Sequence, residues 1–478
     1  MLFYTPEFLV FSVILLAAFA VVHRDEARKV VLLVASYVFY MWWNPAFILL
    51  IAFATFVNFV AARAIANEPR DGRRKTILIG SLVASLGLLG YFKYAGFLAE
   101  NTLYLARLLG FDVHWTSFDI TLPVGISFYT FQTLSYTLDV YRRQIPADHS
   151  PLDFALYVAF FPQLVAGPIV RAADFLPQLR NPVRLSVDLE TVFLILRGLA
   201  KKVLVADNIA ILADRIFESP EAYPSIVIWL GAICFAIQIY CDFSGYSDIA
   251  IGISRIFGFR LPLNFDHPYL ARNPSDFWRR WHISLSSWLR DYLYISMGGN
   301  RKGQLATYRN LMLTMLLGGL WHGASWNFVL WGFIHGFILV AHRFYLDLRR
   351  RSPGYRPATG RIAELASICA MQFFVLLAWI PFRISNSSDL VTALRRFLIF
   401  DFDFGLANIG LGGAALFSST LIMLGFGALH LVSARVGHLD RFFGRLSIPA
   451  ACCVCVVVGI AACLLWPLSD VPFIYFQF

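Results

Sequence analysis

Residues 310–342 read NLMLTMLLGGLWHGASWNFVLWGFIHGFILVAH, and the reading of this stretch decides the fold. Two apolar runs, Leu311–Leu320 and Trp326–Ala341, flank a short polar turn, Trp321-His322-Gly323-Ala324-Ser325. Arg301, Lys302 and Arg309 precede the pair, and Arg343 and Arg349 to Arg351 follow it. Positive charge favours the cytoplasmic side of a membrane, so both ends of this hairpin are expected in the cytoplasm. At 1.5 Å per helical residue the first arm spans roughly 16 Å, about half the hydrocarbon core. His322 is then expected deep in the membrane, at the hairpin tip. An ionisable group there is costly and reads first as functional. The alternative is a neutral histidine hydrogen-bonded to a carbonyl inside a helix bundle.

Working outward, the whole chain supports a membrane reading. Of its 478 residues 58% are hydrophobic and 15% charged, whereas a soluble domain is about half apolar and a quarter charged. A sizeable soluble domain is excluded, and the chain is expected to form one membrane-embedded domain over residues 1–478. The net charge of +10 does not point to nucleic acid. Most Arg and Lys cluster between apolar segments, where they set topology and meet anionic lipid or an anionic cofactor. The seven cysteines form no CxxC or Cys/His ligand pattern and read as reduced packing residues. The start, MLFYTPEFLVF, lacks the basic n-region of a cleavable signal, so the first segment is expected to remain as a helix.

Phe8–Val22 is the first expected crossing, and Val30–Met41 and Phe47–Ala62 form a hairpin through Trp42-Trp43-Asn44-Pro45. The loop Arg63–Lys75 carries five basic residues and is expected in the cytoplasm, which puts the N-terminus outside. Thr76–Tyr91 returns, and Glu100–Ser117 is expected outside. Leu122–Val140 comes back through an entry broken at Pro123 and Gly125. Tyr157–Val170 holds Pro162, Gly167 and Pro168, a density expected of a re-entrant segment buried in protein. Arg171–Lys202 is basic. Val203–Phe217 is the weakest expected span, because it contains Asp207, Asp214 and Arg215. Ile226–Phe243 is stronger and leads to Asp242 and Asp248, which read equally as satisfied interhelical acceptors or as catalytic groups. After the central hairpin, Arg349–Arg361 is expected inside, Leu365–Phe382 crosses, and Arg383–Leu411 lies outside despite Arg383, Arg395 and Arg396. Ala414–Val432 and Ile448–Trp466 complete an all-α polytopic protein with about ten crossings plus two re-entrant elements.

A second site follows Asn273-Pro274-Ser275, a stop with an N-cap candidate. In DFWRRWHISLSSWLRDYLYI the residues Trp278, Trp281, Leu285, Trp288 and Tyr292 recur at spacings of three and four, as on one face of an amphipathic helix. Arg279, Ser286 and Arg290 fall on the neighbouring face, with His282 at the border. Such a helix either anchors at the interface with snorkelling arginines or forms a vestibule wall whose arginines hold phosphate groups. His322, His335 and His342 raise a metal site, but no carboxylate or thiolate pattern accompanies them, so no metal is expected. No P-loop, Rossmann glycine pattern or GxSxG elbow occurs. With no evident Ser or Cys nucleophile, a buried histidine suggests direct transfer with general-base help.

Several stretches together carry a resemblance: ASYVFY at 35–40, GYFKYA at 90–95, PVGISFY at 123–129, DFSGYSD at 242–248, FWRRWHIS at 277–284 and GGLWHG at 318–323. The chain resembles the membrane-bound O-acyltransferase family, and its bacterial alginate O-acetylase branch in particular. The resemblance implies a multi-helix funnel pierced by a tunnel, with an acyl donor entering from the cytoplasm and an acceptor met from the outer side. It makes His322 the expected catalytic histidine and His282 the second family histidine. Trp278, Arg279, Trp281, Arg290, Trp321 and Asp242 are the expected donor and tunnel residues. It further implies acetyl-CoA as donor substrate, no bound cofactor, a polysaccharide acceptor, periplasmic acetyltransferase partners and the bacterial inner membrane. A transporter or flippase for an envelope precursor also needs polar residues and broken helices at mid-depth, and is the alternative function. A scaffold that only recruits partners is a third.

Overall fold

The computed structural model describes residues 1–111, 120–351, 360–404, 412–466 and 473–474. Three loop expectations fall partly elsewhere: 112–117, 352–359 and 405–411 lie outside the described residues. Among the described residues every regular element is helical. Six helices are long and apolar enough to cross a membrane: Pro45–Asn67, Asp71–Leu108, Ser225–Ile256, Trp326–Arg351, Arg361–Arg383 and Leu416–Val436. Pro6–Val21 and Ile448–Leu464 are shorter apolar helices. Pro6–Val21 shows why: Phe8, Phe11, Leu15 and Phe19 are buried, while Leu9, Val13 and Ile14 on the other side are exposed and equally apolar. A helix that is apolar all round needs protein on one side and hydrocarbon on the other. The chain is a multi-pass membrane protein.

The helices divide into two compact units, Met1–Val187 with Ala250–Pro262, and Asp188–Ile249 with Leu263–Phe478. In the first, Asn58 ties three helices. Its amide donates to Ser85 Oγ at 3.0 Å, and its carbonyl accepts from Thr137 Oγ1 at 2.8 Å. The helix Ile126–Tyr141 starts through the expected break. Gly125 has φ 76°, and a Cβ there would stand 2.5 Å from the Leu164 carbonyl oxygen. The expected re-entrant stretch is a helix Pro151–Ala159, a single turn Phe161–Leu164 and irregular backbone beyond it. Buried irregular backbone needs partners. Here Tyr157 Oη lies 3.1 and 3.0 Å from the carbonyls of Gln132 and Val170, and Gln163 Nε2 donates to the Tyr157 carbonyl.

Two local expectations are corrected. The helix expected over Thr76–Tyr91 does not end at Tyr91. Asp71–Leu108 is one continuous helix, because it contains no proline and passes through Gly90 as a π-turn, Gly90–Tyr94. Val203–Phe217 is not a plain span either. A π-turn, Lys201–Ala206, joins Leu189–Ala200 to Asp207–Glu218. Two of its three charges are paired: Asp207 with Lys202 at 2.7 Å and Asp214 with Arg383 at 2.7 Å. The latter pair accounts for one basic residue of the 383–411 segment.

The central hairpin is present in the second unit as Gln304–His322 and Trp326–Arg351. Its first arm begins seven residues earlier than the apolar run suggests, because Gln304–Asn310 is of mixed polarity yet helical. The arms cross closely: a Cβ at Gly319 would stand 2.1 Å from the Phe328 carbonyl oxygen, and one at Gly332 2.4 Å from that of Met315. Small residues at a membrane helix crossing let the two backbones meet in this way.

Candidate active site

His322 is the last residue of the helix Gln304–His322, and the extended Gly323 turns the chain away from it. His282 reaches the same place from a different local structure. Here the single amphipathic helix of the sequence expectation fails. The segment forms a short helix Pro274–Arg280, breaks at Trp281–His282, resumes as Ile283–Trp288 and ends in a π-turn Leu289–Tyr294. His282 itself is left-handed, with φ 42°, a conformation costly for a residue with a Cβ. Buried polar groups hold it there. The Ile283 N–H donates to the Asn264 carbonyl at 2.9 Å, and the Ser284 hydroxyl donates to Asn264 Oδ1 at 2.9 Å. Asn264 Nδ2 in turn donates to Ser247 Oγ at 3.2 Å. The Ser286 hydroxyl spans the break by donating to the Trp278 carbonyl at 2.7 Å.

The break turns His282 inward. Its side chain is fully buried, His322 is 6% exposed, and the two ring centres lie 6.4 Å apart. An aromatic shell closes around them. Trp321, Trp331 and Phe382 pack on His322 with centroids at 5.0, 4.9 and 5.2 Å. Phe243 meets His282 edge-on at 4.7 Å, and Trp321 stands 5.8 Å from it. Burial in this shell pushes the His282 imidazole down to about 3, so it is neutral at physiological pH. A neutral imidazole offers one acceptor nitrogen and one donor N–H.

The remaining expected residues divide into two groups. Trp281 is buried, stacked on Phe277 and packed against Trp379 at 4.9 Å, and Trp278 meets Trp331 edge-on at 5.8 Å. Both therefore belong to the shell or its backing. Arg279 and Arg290 do not: their side chains are 71% and 62% exposed and sit beside Asp276 and Asp291. Asp242 is buried one residue before Phe243, where it is ion-paired with Lys202 at 3.1 Å and accepts from the Ile474 N–H at 2.8 Å. Asp248 likewise accepts from Arg197 and Lys201, each at 2.7 Å. Both carboxylates are thus ion-paired across helices.

The family model of MBOAT, the membrane-bound O-acyltransferase family, matches residues 142–379. That range contains both histidines and the shell except Phe382. A probable alginate O-acetylase of Pseudomonas aeruginosa is 43% identical over 367 residues, which cover 76% of this chain and 68% of that protein. The chain belongs to the membrane-bound O-acyltransferase family. It is therefore an O-acyltransferase. A peptidoglycan O-acetyltransferase of Helicobacter pylori is 37% identical over 396 residues, covering 77% of this chain and 73% of that protein. A teichoic acid D-alanyltransferase of Bacillus subtilis is 28% identical over 264 residues, covering 51% and 65%.

Sequence reading missed several residues of this acyltransferase site. Trp331, Trp379 and Phe382 pass in the sequence as ordinary members of apolar runs. Asn264, which braces the His282 turn, lies among loop residues with no periodicity to mark it.

Proposed function

We propose that this membrane O-acyltransferase is an O-acetyltransferase with His322 as general base. It transfers acetyl groups from acetyl-CoA, entering from the cytoplasm, to an acceptor hydroxyl reached from the outer side of the bacterial inner membrane. The acceptor class is an envelope polysaccharide or exopolysaccharide of the alginate type, and periplasmic acetyltransferases act as partners that carry the group onward. The chain works as one acyltransferase domain. The observation that carries the reading is the burial of His322 at a helix end, facing His282 inside an aromatic shell. A hydroxyl is a poor nucleophile at neutral pH, so its proton must leave as the new bond forms. In the proposed step His322 takes that proton while the hydroxyl oxygen attacks the thioester carbonyl. The tetrahedral intermediate then expels the thiolate, which recovers the proton from the imidazolium. The neutral His282 positions the reacting groups through its single N–H and its acceptor nitrogen. Trp278, Trp281 and Trp321 line the passage and keep water from the thioester. Arg279 and Arg290, exposed beside Asp276 and Asp291, meet the phosphates of the donor. Asp242 supports the passage indirectly, through Lys202.

The test is acetyl transfer by purified His322→Ala and His322→Gln, normalised to folded protein. Both are expected to lose roughly 10²–10⁴-fold, as on removal of a general base. Near-normal turnover in His322→Ala would overturn the assignment. Absence of any donor turnover in the parent protein would favour transport of an envelope precursor instead.

A further inference from the structure

Behind the His282 turn, the segment that carries Asn264 continues into Asp266 and His267. Asp266 is tied to the turn, because its N–H donates to the Arg280 carbonyl at 2.9 Å. Facing this pair is His438, just past the helix Gly413–Val436. One ligand atom from each of Asp266, His267 and His438 lies within 4.8 Å of the other two. Asp266 Oδ1 is 2.9 Å from His267 Nδ1 and 3.9 Å from His438 Nε2. A tetrahedral zinc site with bonds of about 2.0–2.1 Å sets its donors about 3.3 Å apart, so these distances bracket the required spacing.

Three further features point to a ligand. His267 Nε2 lies 2.9 Å from Ser433 Oγ, which fixes the ring with Nδ1 towards Asp266 and His438. Metal-bound imidazoles commonly donate their second N–H to such a partner. His430 is buried, its ring lies 5.1 Å from that of His267, and its Nε2 has no hydrogen-bond partner among the described residues. Together His267, His430 and His438 border a cavity of about 340 Å³. Finally, His267 and His438 both hold left-handed backbone, with φ 46° and 81°. Such strain persists only where the surroundings over-determine it. A His267–Asp266 hydrogen bond alone does not require His438 to adopt that conformation.

The local charge does not oppose a cation. Arg197 and Lys201 also border the cavity, but Asp248 and Asp440 take up their two charges. We propose that Asp266, His267 and His438 bind a divalent transition-metal ion of the zinc type, beside the buried His430. Imidazole and carboxylate donors suit zinc and its first-row neighbours. The ion is structural: it pins the 264–267 segment, and through it the His282 turn, to the end of Gly413–Val436. It takes no part in acyl transfer, and the proposal does not depend on the identity of donor or acceptor. The sequence hid it, because 171 positions separate His267 from His438, and the histidines that cluster in the sequence are those of the hairpin.

The test uses the full-length protein in detergent with its affinity tag removed. It is loaded with zinc and desalted, and its metal content is measured by elemental mass spectrometry. The parent and His342→Ala are expected to retain about one zinc per chain, while His267→Ala and His438→Ala bind it at least tenfold more weakly. Titration of the parent with Co²⁺ needs no variant and is expected to give the visible absorption of a tetrahedral site, discharged by zinc. His322→Ala should keep the ion, so the metal and catalytic assignments fail separately. No retained zinc and no cobalt band in the parent would overturn the proposal. So would equal zinc affinity in the parent and both ligand variants.

Discussion

The crossing of the central hairpin sets where His322 stands, and Gly319→Ala tests this directly. An alanine Cβ at 319 would lie 2.1 Å from the Phe328 carbonyl oxygen and 3.2 Å from Gly332 Cα. Ordinary contact begins at 3.4 Å, and both obstacles are backbone. The arms must therefore separate by about 1.3 Å, an overpacking of the kind that costs about 1–3 kcal/mol. His322 lies three residues beyond Gly319 on the same arm, while Trp331, against which it packs, is on the other. Opening the crossing moves the imidazole relative to its shell by a comparable distance, and a displacement of about 1 Å at a reacting group costs on the order of 100-fold in rate. Gly318→Ala is the matched control. Its Cβ would meet only Leu289 Cδ1, at 3.2 Å, the far end of a flexible side chain. Transfer of labelled acetyl from acetyl-CoA, in membranes matched for protein abundance, should fall by about two orders of magnitude in Gly319→Ala and by about twofold or less in Gly318→Ala. Equal activity in the two variants would refute the idea that this crossing positions the histidine.

Asn tolerates left-handed backbone better than most residues, so His282→Asn should fold as the parent does and retain more transfer than His322→Asn; equal loss in purified protein would give His282 an equal share in the chemistry. Arg279→Gln and Arg290→Gln should raise the apparent KM for acetyl-CoA by roughly ten- to a hundredfold, the cost of a lost charge-assisted phosphate contact; an unchanged KM returns both residues to surface anchoring. Asp248→Ala leaves Lys201 facing no carboxylate and Arg197 with Asp440 alone, so it should cost about 3–5 kcal/mol, read as a lowered melting midpoint; an unchanged midpoint would mean the network is not stabilising. Single cysteines placed in 63–75 or 349–361 of a cysteine-free variant should resist a membrane-impermeant thiol reagent in intact cells, and ready labelling would reverse the assigned orientation.

What the sequence revealed follows from which forces are local. The hairpin 310–342 was legible because long apolar runs and flanking arginines act through composition alone. The breaks at Gly125 and around Pro162 were legible because glycine and proline restrict backbone wherever they occur. The run of helix through 100–108 was not foreseen because Glu100, Asn101 and Arg107 read as the outer end of a crossing, whereas nothing in the backbone forbids continuing the helix. The site was half legible for the same reason. His322 and His282 stand out as ionisable residues in apolar surroundings. The spacing of Trp278, Trp281, Leu285 and Trp288 nevertheless suggested one helix. The turn at His282 that defeats this pattern is held by Asn264 and Ser247, residues 18 and 35 positions earlier. Tertiary hydrogen bonds of that separation leave no periodic trace.

The same contrast bears on how the two histidines divide their work. His322 is delivered by a regular helix end, and its position is fixed by close backbone packing at Gly319 and Gly332. His282 is delivered by a strained turn whose left-handed backbone is maintained by bonds to Asn264 and Ser286. Strain of this kind costs on the order of 1–3 kcal/mol and relaxes as soon as its bracing is lost. Removing the Asn264 amide should therefore move His282 and leave His322 in place. Asn264→Leu fills a similar volume without the hydrogen bonds, and it separates positioning from chemistry in one protein. If His282 only positions the reacting groups, the variant should bind substrate less well while keeping most of the maximal rate at saturation. If His282 shares in proton transfer, kcat should fall with it, by the roughly 10²-fold or more expected of a misplaced acid–base group.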